Sequence, residues 1–172
     1  MFLVQFVEVR ILEGQLKRVM KKRIYLDDIR TPVDLDWIVS RNYDQFVAVI
    51  QFYGLENIET ISLDHDLGDT AMVEYYSNVQ PNYSLDYSNI TEKTGYDCCK
   101  FLVEESLATN QPIPQVYIHS ANPIGSGNMM GYINNYYKNC KQEHKCVQVQ
   151  IPHTIEESLT MSLEARHAKW KR

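Results

Sequence analysis

The chain has 172 residues, of which 44% are hydrophobic and 23% are charged, and its formal net charge is −5. This composition is typical of one soluble globular domain, and the negative balance argues against nonspecific binding to nucleic acid. No apolar run approaches the roughly 20 residues that a membrane-spanning helix needs. The four cysteines lack the spacing of a disulfide framework, so we expect reduced thiols and a cytoplasmic protein.

The sequence divides into three predicted segments. Residues 1–19 form an N-terminal extension, which either adds a β-strand or reflects a misassigned start, and both interpretations stay open. Residues 20–154 form an α/β catalytic domain with an insertion over residues 67–93. Residues 155–172 form a C-terminal helix, since the string TIEE has capping-box spacing at its start.

The predicted strands are short runs of β-branched and aromatic residues separated by helical stretches. This alternation is typical of a buried parallel sheet. We therefore predict a five-stranded, mainly parallel sheet with helices on both faces. The strands are expected near residues 23–26, 36–41, 61–63, 115–118 and 146–151.

Helices are predicted between the strands. One runs from a cap at Asn42 or Asp44 to Tyr53, another follows Thr94, and a third covers residues 128–137. The insertion has little periodicity and is rich in Tyr, Ser and Asn. A loop of this length is usually functional or mobile, so we expect a lid or a substrate contact, with disordered padding as the alternative.

Acidic residues follow the first and third predicted strands. Asp27 and Asp28 end one strand, and Asp64, His65 and Asp66 follow the other. Ligand sites in open α/β sheets lie beyond the carboxyl ends of the strands, so these side chains should converge. Clustered carboxylates repel one another unless a cation lies among them, and Mg²⁺ prefers oxygen ligands. We predict that Asp27, Asp28 and Asp64 bind Mg²⁺, or another divalent cation such as Mn²⁺; a helix cap and a turn aspartate are the alternative for the first pair.

Two histidines accompany these acids. His65 stands between two aspartates, and His119 follows the fourth predicted strand. Histidine titrates near neutral pH and is the commonest general acid or base. The predicted catalytic residues are therefore His65, His119, Asp64 and Asp66, with a packing role as the alternative for His65.

Phosphate-binding residues are predicted in two places. The string HSANPIGSGNM precedes a helix, and its glycines let backbone N–H groups approach an anion, although it lacks the Gly-Lys-Ser/Thr ending of a Walker loop. Two arginines near the first two strands can bind a phosphate bidentately, with ordinary salt bridges as the alternative. The predicted set is Arg30, Arg41, Ser120, Asn122, Gly125 and Asn128.

The order strand–Asp–Asp, strand–Asp and strand–Ser resembles the receiver domain of response regulators. The resemblance implies a receiver-like, flavodoxin-like three-layer sandwich in which the acidic pair and Asp64 hold Mg²⁺ and Ser120 is the hydroxyl residue. Two features depart from that pattern. No lysine follows the last strand, where residues 151–154 read IPHT, and the first helix is reduced to the loop that starts at Arg30.

A closer resemblance is carried by the strings LDDIRTP, WIVSR, SLDHDLG, TGYD and HSANPIGSGNM. Together they are similar to the cyclic-phosphate processing receiver domain over roughly residues 23–154. The resemblance implies action on cyclic-phosphate ends of RNA in repair settings, in bacteria and phages. The extra histidines favour hydrolysis over phosphorelay.

Three functions follow from these patterns. The leading prediction is a Mg²⁺-dependent phosphoesterase that acts on a cyclic nucleotide or a 2′,3′-cyclic RNA end, in RNA repair or phage–host conflict, without a membrane or an obligate protein partner. The second is a signalling receiver phosphorylated on Asp64. The third is a binding module without turnover. Labelling by acetyl phosphate would favour the second, and failure to bind Mg²⁺ would favour the third.

Overall fold

The computed structural model describes residues 20–155. The predicted extension over residues 1–19 lies outside the described residues, and so does the predicted C-terminal helix apart from Ile155. In the part that is described, no helix is both long enough and apolar enough to cross a membrane.

The centre of the fold is a sheet of five parallel strands in the order β3-β1-β4-β5-β6. The flavodoxin-like doubly wound fold, to which receiver domains belong, has this order. The predicted five-stranded, receiver-like sheet is therefore confirmed. With a separate pair, β2 and β7, the described strands are β1 (Lys22–Leu26), β2 (Arg30–Pro32), β3 (Trp37–Ser40), β4 (Ile58–Leu63), β5 (Gln115–Ile118), β6 (Val147–Gln148) and β7 (His153–Ile155).

Three long helices connect successive parallel strands and pack on one face of the sheet. Each connection advances across the sheet in the same direction, and right-handed crossovers then place the helices on the same side. The α-helices of the described part are α1 (Tyr43–Tyr53), α2 (Asp69–Glu74), α3 (Gln80–Asn82), α4 (Gly95–Thr109) and α5 (Pro123–Asn139).

Local sequence signals fix the ends of these helices. The Asn42 side chain accepts a hydrogen bond from Gln45 N at the start of α1, and Gly54, with φ of 74°, ends it. Thr94 and Asp97 form a capping box at the start of α4. Helix α5 begins at Pro123, five residues before the predicted start, because Asn122 caps it.

The second face of the sheet carries a short antiparallel ribbon. Strand β2 pairs with β7, with Thr31 opposite Thr154. The ribbon's first strand occupies the connection from β1 to β3, where a receiver domain has its first helix, and this confirms the predicted reduction of that helix. A C-terminal helix was predicted over residues 155–172; Ile155 ends strand β7, and the rest of that segment is outside the described residues.

Alternation along the strands separates the two faces. In parallel register, Tyr25 lies opposite Ser62, and Ser62 lies opposite Tyr117, so these three side chains share the face that carries the ribbon. The residues between them point toward the helices and form the core with α1, α4 and α5. The fully buried core positions of the central strands are Ile24, Leu26, Ile61, Leu63, Val116 and Ile118.

The insertion over residues 67–93 is largely helical, which differs from the predicted irregular loop. It contains α2, a π-helical turn at Tyr75–Val79, α3 and a 3₁₀ turn at Tyr87–Asn89. Two buried or half-buried carboxylates hold it together. Glu74 accepts from Asp86 N at 2.9 Å, and Glu92 accepts from Ala71 N at 2.8 Å. These tertiary hydrogen bonds outweigh the weak helix propensity of a Tyr- and Asn-rich segment.

Candidate functional site

Three carboxylates meet at the carboxyl edge of the central strands. Asp27 and Asp28 follow β1, Asp64 follows β4, and one oxygen of each lies within 4.8 Å of the others. The juxtaposition follows from the sheet, since β1 and β4 are neighbours and Asp64 N donates to Leu26 O at 2.9 Å. Oxygen donors at this spacing fit a hard divalent cation, so the predicted metal ligands form a group that can hold a metal ion.

Arg30 lies between two of these carboxylates. Its Nε donates to Asp27 Oδ2 at 2.5 Å, and one terminal nitrogen lies 2.7 Å from Asp64 Oδ2. Burial would lower the pKa of Arg30, but Asp64 and Asp27 together raise it above its usual value. Burial raises the pKa of Asp64, and the positive charge of Arg30 only partly opposes that shift.

Asp27 is held by backbone and side-chain hydrogen bonds. Its Oδ1 accepts from the backbone nitrogens of Ile29 and Arg30, at 3.0 and 2.6 Å. Burial acts to raise the pKa of Asp27, but the hydrogen bond with His119 and the charge of Arg30 outweigh it and lower the pKa. This carboxylate is therefore held in its charged form at the edge of the sheet.

His119 is oriented by three neighbours on the ribbon side of the sheet. Its Nδ1 lies 2.7 Å from Ser62 Oγ, and its Nε2 lies 3.2 Å from Asp27 Oδ2. The ring stacks on Tyr25 with a centroid distance of 4.2 Å and an interplanar angle of 11°. The in-register positions of Tyr25 and Ser62 thus fix the imidazole, with Nε2 beside the acidic cluster.

A cleft of about 700 Å³ opens beside this cluster. Arg30, His119 and Ser120 line one side, and the chain between β6 and β7 lines the other. The Ser120 side chain also acts to lower the pKa of Asp64, so Ser120 lies between the cleft and the carboxylates. The complete lining is Tyr25, Arg30, His119, Ser120, Ala121, Gln148, Val149, Gln150, Ile151, Pro152 and His153.

His65 lies apart from the cleft and is fully buried. Its Nδ1 lies 2.7 Å from Asp66 Oδ1, and its Nε2 lies 3.1 Å from Tyr87 OH. A Cβ atom on Gly125 would lie 2.3 Å from His65 Cγ, so the start of α5 lies directly against this ring. The structure brings His119 and Asp64 together beside the cleft and places His65 and Asp66 against the start of α5. The catalytic role of all four residues stays a prediction.

Four of the predicted phosphate-binding residues do not line the cleft. Arg41 donates to Asp27 O at 3.0 Å and to Arg30 O at 2.6 Å, and so fixes the loop after β1. Asn122 Oδ1 accepts from Gly125 N at 2.9 Å, which occupies that backbone donor. Asn128 Nδ2 donates to Tyr87 OH at 3.2 Å on the exposed side of α5. Arg30 and Ser120 do line the cleft. Phosphate binding by all six residues stays a prediction.

Several residues of the site were missed by sequence reasoning. Tyr25 and Ser62 orient His119 from within strands β1 and β4. The signal that could have identified them is a polar group inside an otherwise apolar run. Gly95 lies so close to the acidic edge that a Cβ atom would come 1.9 Å from Asp64 O. The far wall of the cleft was predicted only as part of the last strand.

The fold and this acidic centre define a receiver-like α/β domain with a carboxylate cluster that could hold a metal ion. The family model of the cyclic-phosphate processing receiver domain matches residues 22–135, more than half of the chain. The chain therefore belongs to that family. Searches among curated proteins and among solved structures gave no significant match.

Proposed function

We propose that this protein is a Mg²⁺-dependent phosphoesterase that opens cyclic phosphates, with the 2′,3′-cyclic phosphate end of RNA as its substrate. The observation that carries the proposal is that Asp27, Asp28 and Asp64 cluster directly behind His119, which bonds Asp27 and lines the cleft. A pure phosphoacceptor needs the carboxylates but has no use for the histidine. Membership in a family named for cyclic-phosphate processing agrees with this proposal.

The three carboxylates would hold the cation. A divalent ion at this place would polarise a phosphoryl oxygen and lower the pKa of a water molecule. In its absence, the guanidinium of Arg30 neutralises Asp27 and Asp64. We expect Arg30 to turn toward the cleft once the carboxylates have another cation, and to bind the substrate phosphate there.

His119 is the proposed general acid. Its Nδ1 is held by Ser62, so its Nε2 faces Asp27 and the cleft in one fixed orientation. The 3.2 Å separation from Asp27 is at the long end for a hydrogen bond, so a substrate oxygen entering the cleft can compete for the Nε2 proton. Attack by water would form one P–O bond and release a proton to the solvent. The ring P–O bond would then break, and His119 would deliver the proton that the leaving hydroxyl needs.

Ring opening by water yields a phosphomonoester, which gives a direct test. An RNA oligonucleotide with a 2′,3′-cyclic end should become sensitive to a phosphomonoesterase after incubation with the protein and Mg²⁺. The reaction should stop in EDTA. Unchanged RNA in the presence of Mg²⁺ or Mn²⁺, across all four terminal bases, would contradict the proposal.

A signalling receiver is the second candidate, and the strand order favours it. Asp64 ends the central strand β4, where a receiver carries its phosphoacceptor, and Ser120 follows β5. Both Asp64 oxygens are engaged, however, Oδ1 by His65 N at 2.8 Å and Oδ2 by Arg30. Stable labelling of Asp64 by acetyl phosphate, without hydrolysis of any cyclic phosphate, would establish this function instead.

A further inference from the structure

One wall of the cleft is made by residues 148–153, hereafter the 148–153 wall. Its backbone and side chains are anchored at both ends. Gln148 Nε2 donates to Ser120 O at 2.9 Å, and Pro152 O accepts from Val33 N at 2.9 Å. The wall is therefore held in place by hydrogen bonds to the rest of the domain. It lies beyond residue 135, where the family match ends.

The cleft is larger than a phosphate group requires. Its volume of about 700 Å³ falls within the roughly 300–1,000 Å³ of sites for small organic ligands. The end with Arg30, His119 and Ser120 is enough to surround a phosphate. The remaining space borders the 148–153 wall, so it has room for the group that carries the phosphate.

The chemistry of the wall is that of a base-binding surface. Val149, Ile151 and Pro152 supply apolar contact area, and the side-chain amides of Gln148 and Gln150 alternate with them along the chain. An amide offers both donor and acceptor, as does the edge of a nucleobase. No cleft-lining residue is acidic, which suits an anionic ligand. Gln150 is exposed, and its amide bonds no other residue of the described range, so it is available to a ligand.

We propose that the 148–153 wall binds the nucleoside that carries the cyclic phosphate, with Gln150 hydrogen-bonding the edge of the base. The inference rests on the proposed function for the position of the phosphate. It adds that the protein selects this substrate over a cyclic phosphate on a sugar or polyol through contact of the 148–153 wall with the base. Gln150 is thereby a specificity residue and takes no part in proton transfer.

Binding of phosphomonoesters to the full chain tests this without turnover. Calorimetry with 3′-AMP, 3′-UMP and glycerol 2-phosphate in Mg²⁺ should give at least about 5-fold tighter binding of a nucleotide, because a base adds contact area. Gln150→Ala should weaken nucleotide binding by about 3- to 10-fold, the effect of one lost hydrogen bond, and leave glycerol 2-phosphate unchanged. Gln80→Ala, an exposed glutamine on α3 that does not line the cleft, is the matched control.

The failures of the two proposals are distinguishable. If cyclic phosphates with and without a base are opened equally well and Gln150→Ala changes neither binding nor rate, the nucleoside site is wrong and the phosphoesterase stands. If nucleotides bind in a Gln150-dependent way but no cyclic phosphate is opened, the nucleoside site stands and the phosphoesterase is wrong. Equal affinity for 3′-AMP and glycerol 2-phosphate would overturn the inference by itself.

Discussion

Arg30 is the residue whose contacts say most about the site. Its guanidinium lies between Asp27 and Asp64 and so places a positive charge beside carboxylates that would otherwise repel one another. One guanidinium therefore offsets part of the negative charge of the acidic edge.

Metal binding can be tested at a single residue. Mg²⁺ should raise the melting temperature of the wild type, because a ligand that binds only the folded state stabilises it. Asp64→Asn should abolish that rise, since it removes one of the three clustered carboxylates. Thermal denaturation with and without Mg²⁺ measures the shift, and Asp36→Asn, an exposed acid outside the cluster, is the control. An equal shift in wild type and Asp64→Asn would mean that the cation binds elsewhere.

The role of His119 can be separated from its packing. General acid–base catalysis typically contributes about 100- to 10,000-fold, so His119→Ala should lose that much activity on a cyclic phosphate. The variant should keep its Mg²⁺-induced melting shift, because His119 is not one of the clustered carboxylates. His144→Ala, on an exposed histidine, should be unaffected. Normal turnover by His119→Ala would exclude this residue as the general acid.

At the scale of elements, the contact between α4 and the end of β4 determines the shape of the acidic edge. Gly95 begins α4, and its N–H donates to His65 O at 2.9 Å. The helix can come this close only because position 95 has no side chain. The string TGYD is therefore explained by close packing of a helix against the strand that carries Asp64.

Gly95→Ala tests this packing. The added methyl group would collide with Asp64 O, so we expect destabilisation of about 1–3 kcal/mol and a weaker Mg²⁺ effect. Gly131→Ala is the matched control, because it lies within α5 with no atom within 4 Å of its Cβ position. That change should stabilise the helix by up to about 1 kcal/mol. Urea unfolding measures both, and equal stability of the two variants would refute the close contact.

Glu74 holds the helical insertion together in a pH-dependent way. Burial acts to raise its pKa, but hydrogen bonds from Asp86 N, Asn89 and Asn78 outweigh it and hold the pKa below the usual 4.5. A lowered pKa in the folded state means that the stabilisation is complete above about pH 4.5 and is lost as the pH falls through the folded value. The insertion should therefore loosen in acid.

Glu74→Gln should remove this dependence. The variant should be less stable than the wild type at pH 7, and the difference should shrink below pH 4.5. Urea unfolding at several pH values measures the difference in free energy of unfolding between the two proteins. Glu143→Gln, at an exposed position, is the control. A difference that stays constant down to pH 3 would mean that the charge of Glu74 does not hold the insertion.

At the scale of the whole molecule, the sheet was predictable and the surroundings of the site were not. Short apolar runs followed by Asp27, Asp64 and His119 predicted the strands, because a buried strand has a recognisable hydrophobic pattern. They also predicted a common edge, because right-handed crossovers make successive strands parallel. The sequence did not show that His65 and His119 lie on different sides of the sheet. That difference depends on the direction each side chain takes after its strand ends. The ribbon of β2 and β7, and the far wall it anchors, depend on contacts between residues far apart in sequence.

The central claim is that the acidic edge and His119 direct water to a cyclic phosphate. The most direct measurement is the incubation of a 2′,3′-cyclic nucleotide with the protein and Mg²⁺ in water enriched in ¹⁸O, followed by mass spectrometry of nucleotide and protein. The account predicts a nucleoside monophosphate with one ¹⁸O atom in its phosphate, formed by the wild type and abolished by Asp64→Asn. Unconsumed cyclic nucleotide, with Asp64 phosphorylated when acetyl phosphate is added, would contradict it.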